Sequence, residues 1–388
     1  MTWDIFCSVI DNFGDIGITW RLARQLACEH DIRVRLWVDD LNAFQRIHPA
    51  VDPSREAQTL SAPPSQEGKQ VNVHHWTAPL PDFTLGDVVI EALACNLPDE
   101  FVARMAACTP PPFWINLEYL TAEDWADGVH GLPSPHPRLP LNKYFFMPGF
   151  STQTGGLLRE AWLTPQRDAF QNDTHAQRIF WQSLHLPDRR KNEVRLSLFS
   201  YENRALPSLM QAWAQSDRPI CALAPEGRAL PEIAAWFGVP PPKPGDTLTR
   251  GQLCLHVLPM LDQDAYDRLL WACDLNFVRG EDSFVRAQFA ARPMVWQAYR
   301  QEDDAHFDKL AAFLKHYTTT LNNDSAALAH DFWQAWNREA PLETLWPQWL
   351  AALPAQREDA TAWSKHLHTQ PDLIANLLIF LRKKQHKS

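Results

Sequence analysis

The first forty or so residues constrain the fold most. Residues 3–10, WDIFCSVI, are mostly apolar and read as a buried strand. A turn punctuated by Gly14 and Gly17 follows. From Ile18 to His30, Ile18, Leu22, Leu26 and the alanines between them recur at helical spacing. Arg33 to Val38, RVRLWV, then alternates as a strand does. Strand, helix and strand in succession make a β-α-β unit, whose two strands lie parallel in one sheet. An α/β architecture is therefore set from the start.

The rest of the chain repeats the pattern. Residues 50–70 are polar and proline-rich and read as a surface loop. Strand-like runs follow at 71–76, 87–93, 112–117 and 144–150, with a long irregular loop expected at 128–143, which holds four prolines. The stretch 151–165, STQTGGLLREAWLTP, reads as a domain boundary. After a helical segment near 168–185, a second series of strands is expected at 193–200, 219–224, 252–258, 274–279 and 293–297, with helices between them at 263–273 and 282–290. From 303 onward the periodic segments read as helix, ending in a final helix at about 371–384. A length of 388 residues suits two domains of about 150 residues each. The expected division is a Rossmann-like lobe at 1–155, a second at 156–365, and a carboxy-terminal helix at 366–388 that packs back on the first lobe. Two such lobes face each other across a cleft, and ligands of such sheets bind outside the carboxyl ends of the strands.

Composition narrows the function. A formal net charge of −10 argues against nucleic-acid binding, which relies on a basic patch or stripe. Hydrophobic content of 45% with 21% charged residues is that of a globular protein. The amino terminus carries acids instead of a basic n-region and does not read as a signal peptide. The apolar stretch from Leu373 to Leu381 is far short of the roughly 20 residues of a membrane span, so no membrane partner is expected. The seven cysteines never form CxxC; free buried thiols in a reducing cytoplasm account for them without a disulfide framework or a zinc site. Most of the 17 tryptophans are expected in the core.

Two motifs sit where strands hand over to helices. The first is Asp11-Asn12-Phe13-Gly14-Asp15-Ile16-Gly17. It lacks GxGxxG, so a dinucleotide fingerprint fits poorly. Its carboxylates suit a general base and a substrate-orienting partner, and they suit a helix cap equally well. The second is Arg279-Gly280-Glu281-Asp282-Ser283-Phe284. The amides of Asp282 and Ser283 at a helix start form an anion site, and Arg279 adds a contact to phosphate. Glu281 is better cast against a sugar hydroxyl or a cationic acceptor. Asp262-Gln263-Asp264 reads as helix capping in preference to a metal-binding DxD, and no metal is assigned.

The motifs DNFGDIG and RGEDSF together resemble the bacterial elongation-factor-P arginine rhamnosyltransferases (the EarP family). The resemblance runs essentially end to end. It takes in Phe199-Ser200-Tyr201, the run Leu258-Pro259-Met260-Leu261-Asp262-Gln263, and Trp296-Gln297 before an acidic segment containing His306. It implies a GT-B fold and inverting transfer of L-rhamnose from dTDP-β-L-rhamnose to one arginine of translation elongation factor P, which activates that factor for rescue of ribosomes stalled at polyproline. No cofactor or metal is implied beyond the donor substrate. The resemblance makes Asp11, Asp15 and Glu281 the essential acids. It gives donor binding to Tyr201, Gln263, Arg279, Asp282 and Ser283, with Phe199 packing nearby and the backbone around Leu258, Pro259 and Met260 reading thymine. Asn12, Phe13, Gly14 and Gly280 join the substrate-binding set. Tyr266 keeps the aromatic character expected beside the nucleotide, and Met260 departs from it.

A protonated guanidinium is a poor nucleophile, so the enzyme must bind the cation with carboxylates, align one nitrogen and accept its proton. Asp15 is expected to be the base and Asp11 to hold the guanidinium. Two other readings remain: another GT-B transferase with a lipid or saccharide acceptor, or a non-catalytic nucleotide-binding protein.

Overall fold

The computed structural model describes residues 1–10, 13–62, 68–77, 80 and 82–385. The chain divides into two compact units, Met1–Ala161 with Gln370–Ser388, and Trp162–Thr369.

The first unit runs β1 (Thr2–Cys7), α1 (Gly14–Glu29), β2 (Arg33–Val38), α2 (Leu41–Ile47), β3 (Ala57–Ser61), β4 (Gln70–His75), β5 (Val88–Ala92), α3 (Asp99–Ala107), β6 (Phe113–Leu117), α4 (Trp125–Val129), β7 (Pro133–Pro135) and β8 (Asn142–Phe146). Its sheet has the order β3-β4-β2-β1-β5-β6-β8-β7. The six inner strands are parallel, and β3 and β7 add antiparallel edges. Both edge strands fall in stretches expected as loops. The reason is physical: an edge strand is paired on one side only, so it tolerates the polar residues of 57–61 and the prolines of 133–135 that exclude a central strand.

The second unit runs α5 (Leu163–Asn172), α6 (Thr174–Ser183), β9 (Val194–Leu198), α7 (Leu206–Ala214), β10 (Ile220–Pro225), α8 (Leu230–Phe237), β11 (Thr247–Arg250), β12 (Leu253–Leu258), α9 (Gln263–Ala272), β13 (Leu275–Arg279), α10 (Asp282–Phe289), β14 (Met294–Gln297), α11 (Ala305–Tyr317), α12 (Asn323–Asn337) and α13 (Trp346–Leu367). The segment expected as one helix near 168–185 is two, because Asp173 stops α5 and caps α6 by accepting from the His175 and Ala176 amides. The sheet order is β11-β12-β10-β9-β13-β14, parallel apart from β11.

The last helix, α14 (Leu373–Gln385), is grouped with the first unit. Phe380 on α14 meets Phe113, Tyr144 and Phe146, with centroids 5.6–6.1 Å apart. The Leu373 amide donates to the Leu157 carbonyl at 2.8 Å. The unit boundary falls at 161/162 and not at 155/156, because residues 156–161 are tied to α1. Gln25 donates to the Arg159 carbonyl at 2.9 Å, and the buried Glu160 pairs with Arg24 at 3.2 Å.

Tryptophan fills both cores. Trp3, Trp20 and Trp37 are buried in the first unit, and Trp213, Trp333, Trp336, Trp346 and Trp363 in the second. Trp125 on α4 is 53% exposed, and Trp76, Trp162 and Trp236 are half-buried. Among the described residues, no helix is long and apolar enough to cross a membrane.

Candidate active site

Each sheet has one point where chain connections diverge to opposite sides, and there the carboxyl ends of two neighbouring strands leave a crevice. In the first unit it lies between β1 and β5, in the second between β9 and β13. Both sequence motifs sit at these points.

At the end of β1 the chain turns into α1, which starts at Gly14, four residues earlier than its apolar periodicity begins. Phe13 occupies the N-cap position with no side-chain cap bond, so Asp15 is not the cap of its helix. It sits in the first turn, where the helix dipole favours a carboxylate. The side chain points back: Oδ2 accepts the Ile10 amide at 2.8 Å, and Oδ1 lies 3.2 Å from the Tyr119 hydroxyl. The residue is 1% exposed. Phe13 and Gly14 are half-buried beside it, and the Arg46 guanidinium lies 5.7 Å from the Phe13 ring centre. Asp11 and Asn12 lie outside the described residues.

Tyr119 follows β6 and is a residue that sequence reasoning missed. Its hydroxyl also lies 3.1 Å from the Leu93 carbonyl. Leu93 and Ala94, directly after β5, have φ of 57° and 62°. Such left-handed conformations in non-glycine residues cost about 1–3 kcal/mol each and persist only where the surroundings enforce them. No side-chain pattern announces this turn, and a tyrosine two residues past a strand has no signature of its own. The nearby thiol of Cys95 is pushed up to about 12 by burial, so it stays protonated and is no nucleophile at neutral pH.

At the second point the focus is a cation. The Arg279 guanidinium, at the end of β13, lies 4.4 Å from the Phe199 ring centre and 4.5 Å from that of Tyr201, both just beyond β9. Cation–π contacts of this kind hold the charge in place without neutralising it. Gly280 takes φ 63°, which a glycine adopts without strain, and its carbonyl accepts the Trp296 indole N–H at 2.9 Å. Trp296 in turn stacks on Phe284 at 4.1 Å. Glu281 is the N-cap residue of α10 and makes no side-chain cap bond. Ser283 donates its hydroxyl to the Arg279 carbonyl. Asp282 lies 3.4 Å from the Gln263 amide nitrogen, which joins the start of α9 to the start of α10. Asp262 caps α9 by accepting from the Ala265 amide at 2.7 Å. Gln297 fixes the Tyr201 loop, accepting the Tyr201 amide at 2.9 Å and donating to the Glu202 carbonyl at 3.2 Å.

Phe199, Tyr201, Gln263, Arg279, Gly280, Asp282 and Ser283 thus share one end of the second sheet. Leu258 ends β12 two strands away; it is buried, and its carbonyl accepts the Glu226 amide at 2.9 Å, while Pro259 is exposed. Tyr266 on α9 packs edge-on to Phe199 at 5.7 Å, and burial pushes its phenol up. A clamped guanidinium beside the first amides of a helix can hold a diphosphate and steady the charge on a departing one.

Comparison with known proteins agrees with this layout. A solved structure described as the structural basis for EarP-mediated arginine glycosylation of translation elongation factor EF-P matches this chain with a TM-score of 0.70 at 35% identity, over 98% of this chain and 99% of that one. The class is a GT-B glycosyltransferase, two Rossmann-like units in one chain. Within that class the chain belongs to the family described as Elongation-Factor P (EF-P) rhamnosyltransferase EarP, whose model matches residues 3–382. The protein-arginine rhamnosyltransferase of Pseudomonas putida is 48% identical over 381 residues, and that of Pseudomonas aeruginosa 47% over 379, each covering 98% of both chains. That of Neisseria meningitidis is 33% identical over 408 residues, 98% of this chain and 97% of the relative. Family membership makes this chain an enzyme of protein-arginine rhamnosyl transfer.

Proposed function

We propose that the chain moves L-rhamnose from dTDP-β-L-rhamnose to one arginine of translation elongation factor P, inverting the anomeric centre. The observation that carries the donor half is the Arg279 guanidinium clamped between Phe199 and Tyr201 beside the start of α10. In this reading the Trp162–Thr369 unit binds the donor. Arg279 and the Asp282 and Ser283 amides hold the diphosphate. Tyr201 and Gln263 complete the donor contacts, and the backbone at Leu258 to Met260 reads thymine. The charge on the leaving dTDP is met by the protein itself, so the reaction is assigned no metal.

The Met1–Ala161 unit binds the acceptor. Asp11 holds the guanidinium, Asp15 takes its proton, and Glu281 contacts the cation or the sugar. A new C–N bond forms at the anomeric carbon, the C–O bond to the diphosphate breaks, and its electron pair leaves with dTDP. The buried carboxylate of Asp15, oriented by the Ile10 amide and the Tyr119 hydroxyl, supports its role as base. Free cysteines, most of them buried, support a cytoplasmic location.

Intact-mass analysis of elongation factor P incubated with the chain and dTDP-rhamnose tests the reading. A gain of one deoxyhexose on a single arginine is expected. An unchanged mass, or the same gain after that arginine is substituted, overturns it.

A further inference from the structure

The loop that carries Tyr201 is held from a strand that is not its neighbour in the sheet. The strands run β9-β13-β14, so β13 separates that loop, which leaves β9, from β14. Arg279 ends β13 and lies opposite Gln297 in the β13–β14 ladder, and residues paired in this way send their side chains to the same face of the sheet. Gln297 reaches past the end of β13 to the loop beyond β9. Its Oε1 accepts the Tyr201 amide at 2.9 Å, and its Nε2 donates to the Glu202 carbonyl at 3.2 Å. One side-chain amide thus meets an N–H and a C=O of successive loop residues, as a neighbouring strand would. The bond to the Tyr201 amide is buried, so its loss would leave a backbone donor unsatisfied. Gln297 is itself gripped. On the open edge of β14, Asn337 at the end of α12 accepts the Ala298 amide at 2.9 Å and donates to the Trp296 carbonyl at 2.8 Å, one bond on either side of Gln297. The same helix end anchors the loop once more, where Asn203 donates to the Trp336 carbonyl at 2.9 Å. That anchor lies two residues past Tyr201, and the backbone of Tyr201 is left to Gln297.

We infer that Gln297 is a positioning residue for donor binding, holding the Tyr201 ring on the Arg279 guanidinium before the donor arrives. The inference rests on the proposed reading of this unit as the donor side. Gln297 acts by preorganisation. The Tyr201 ring centre stays 4.5 Å from the guanidinium only while the loop backbone keeps its place. A loop released at residues 201 and 202 spends part of its time elsewhere, and apparent affinity falls in proportion to the fraction that remains in place. Once the donor is bound the clamp is the same with or without Gln297, so turnover at saturation does not change. Both jobs need one acceptor and one donor at the reach of a glutamine, which neither an apolar side chain nor a shorter amide supplies.

The test is a double-mutant cycle on the full chain, read by calorimetry with dTDP-rhamnose and by steady-state kinetics with elongation factor P as acceptor. Gln297→Met keeps the length of the side chain and removes both hydrogen bonds. Its Kd for dTDP-rhamnose is expected to rise about fivefold to fiftyfold, the scale of one or two neutral hydrogen bonds, with kcat at saturating donor within about twofold of the wild type. Gln297→Asn draws the same amide back by one methylene and should raise Kd by less; it carries the cycle if Gln297→Met does not fold. In a Tyr201→Ala background the loop has no ring to hold, and the Gln297 change should there move Kd by about twofold or less. An unchanged Kd in both Gln297 variants overturns the inference. So does a fall in kcat without a rise in Kd, and so does an equal rise in both backgrounds, the pattern of a general loss of structure. A Tyr201→Ala variant that binds dTDP-rhamnose as the wild type does overturns the donor reading itself, an outcome that no Gln297 variant alone produces.

Discussion

The two crevices occupy the same topological position in two similar sheets and centre on side chains of opposite charge, Asp15 in one and Arg279, next to Glu281 and Asp282, in the other. In the first unit, the residue at the turn is a carboxylate sealed beneath the chain and held by a backbone amide and a phenol. In the second, it is a guanidinium at the surface end of β13, held by two aromatic faces and followed by a helix start. Burial suits the carboxylate in its proposed role, because a base shielded from water would meet a substrate proton without competition. Partial exposure suits the guanidinium in its proposed role, since the partner proposed for it would arrive with its own negative charge. The fold chooses where chemistry can happen, and a handful of side chains chooses its sign.

The largest effect should come from neutralising the acidic crevice. Asp15→Asn is expected to lower turnover by about a hundredfold or more, the usual scale for a lost general base, with dTDP-rhamnose binding nearly intact. The amide fits the same place: its oxygen accepts from Ile10, its NH₂ donates to Tyr119, and Tyr119 donates to Leu93. The variant should therefore melt like the wild type, and near-normal turnover in such a chain would remove Asp15 from catalysis. Next is the basic crevice. Tyr201→Ala takes away one face of the Arg279 clamp, and calorimetry should show dTDP-rhamnose binding weakened by about 1–3 kcal/mol. Unchanged binding would move the donor elsewhere and dissolve the contrast.

A subtler effect is expected from Asp11→Asn, which should raise KM for the protein acceptor more than it weakens donor binding. The reverse order would place residue 11 on the donor side. Acid should distinguish the units weakly. Burial lowers His30, His74 and His130 in the first unit, and His256 and His306 in the second, below the usual 6.5. A histidine whose folded value is depressed favours the neutral form, so the unfolded chain binds more protons as pH falls below 6.5. Stability contributed by these groups is complete above that pH and declines below it. Hydrogen exchange compared on either side of pH 6.5 should show both units loosening in acid, and equal protection at the two values would contradict the sign. The smallest expected effect is none: turnover in EDTA should match turnover without it. Loss restored by magnesium or manganese would break the assignment of the leaving-group charge to Arg279 and α10.

The parallel strands were legible because each is rich in apolar residues, in a run for some and in alternation for others such as β2 and β4; most observed strand ends fall within two residues of those expected. The edge strands β3 and β7 were not legible, since exposure removes the apolar signal that marks a strand. The RGEDSF motif was legible as a strand-to-helix turn with charged groups, because glycine and arginine before two acids exceed what a cap requires. The cap reading of Asp15 was equally available from the sequence, and the start of α1 at Gly14, with Phe13 as its N-cap, decided against it. The clamp on Arg279 was hidden for a related reason. Phe199 and Tyr201 lie some eighty residues earlier in the chain, and no local pattern links them to β13.

By itself the sequence determined the α/β class, the doubled architecture and the two turns at which charged groups gather. Those properties follow from local periodicity and from residue types that act on their immediate neighbours. Tertiary structure alone decided which groups meet at each turn: the Leu93 carbonyl with Tyr119 and Asp15, and the two aromatic rings with Arg279. These contacts join residues from neighbouring strands of a parallel sheet, and such strands are brought side by side by crossovers whose length and composition carry no record of the pairing.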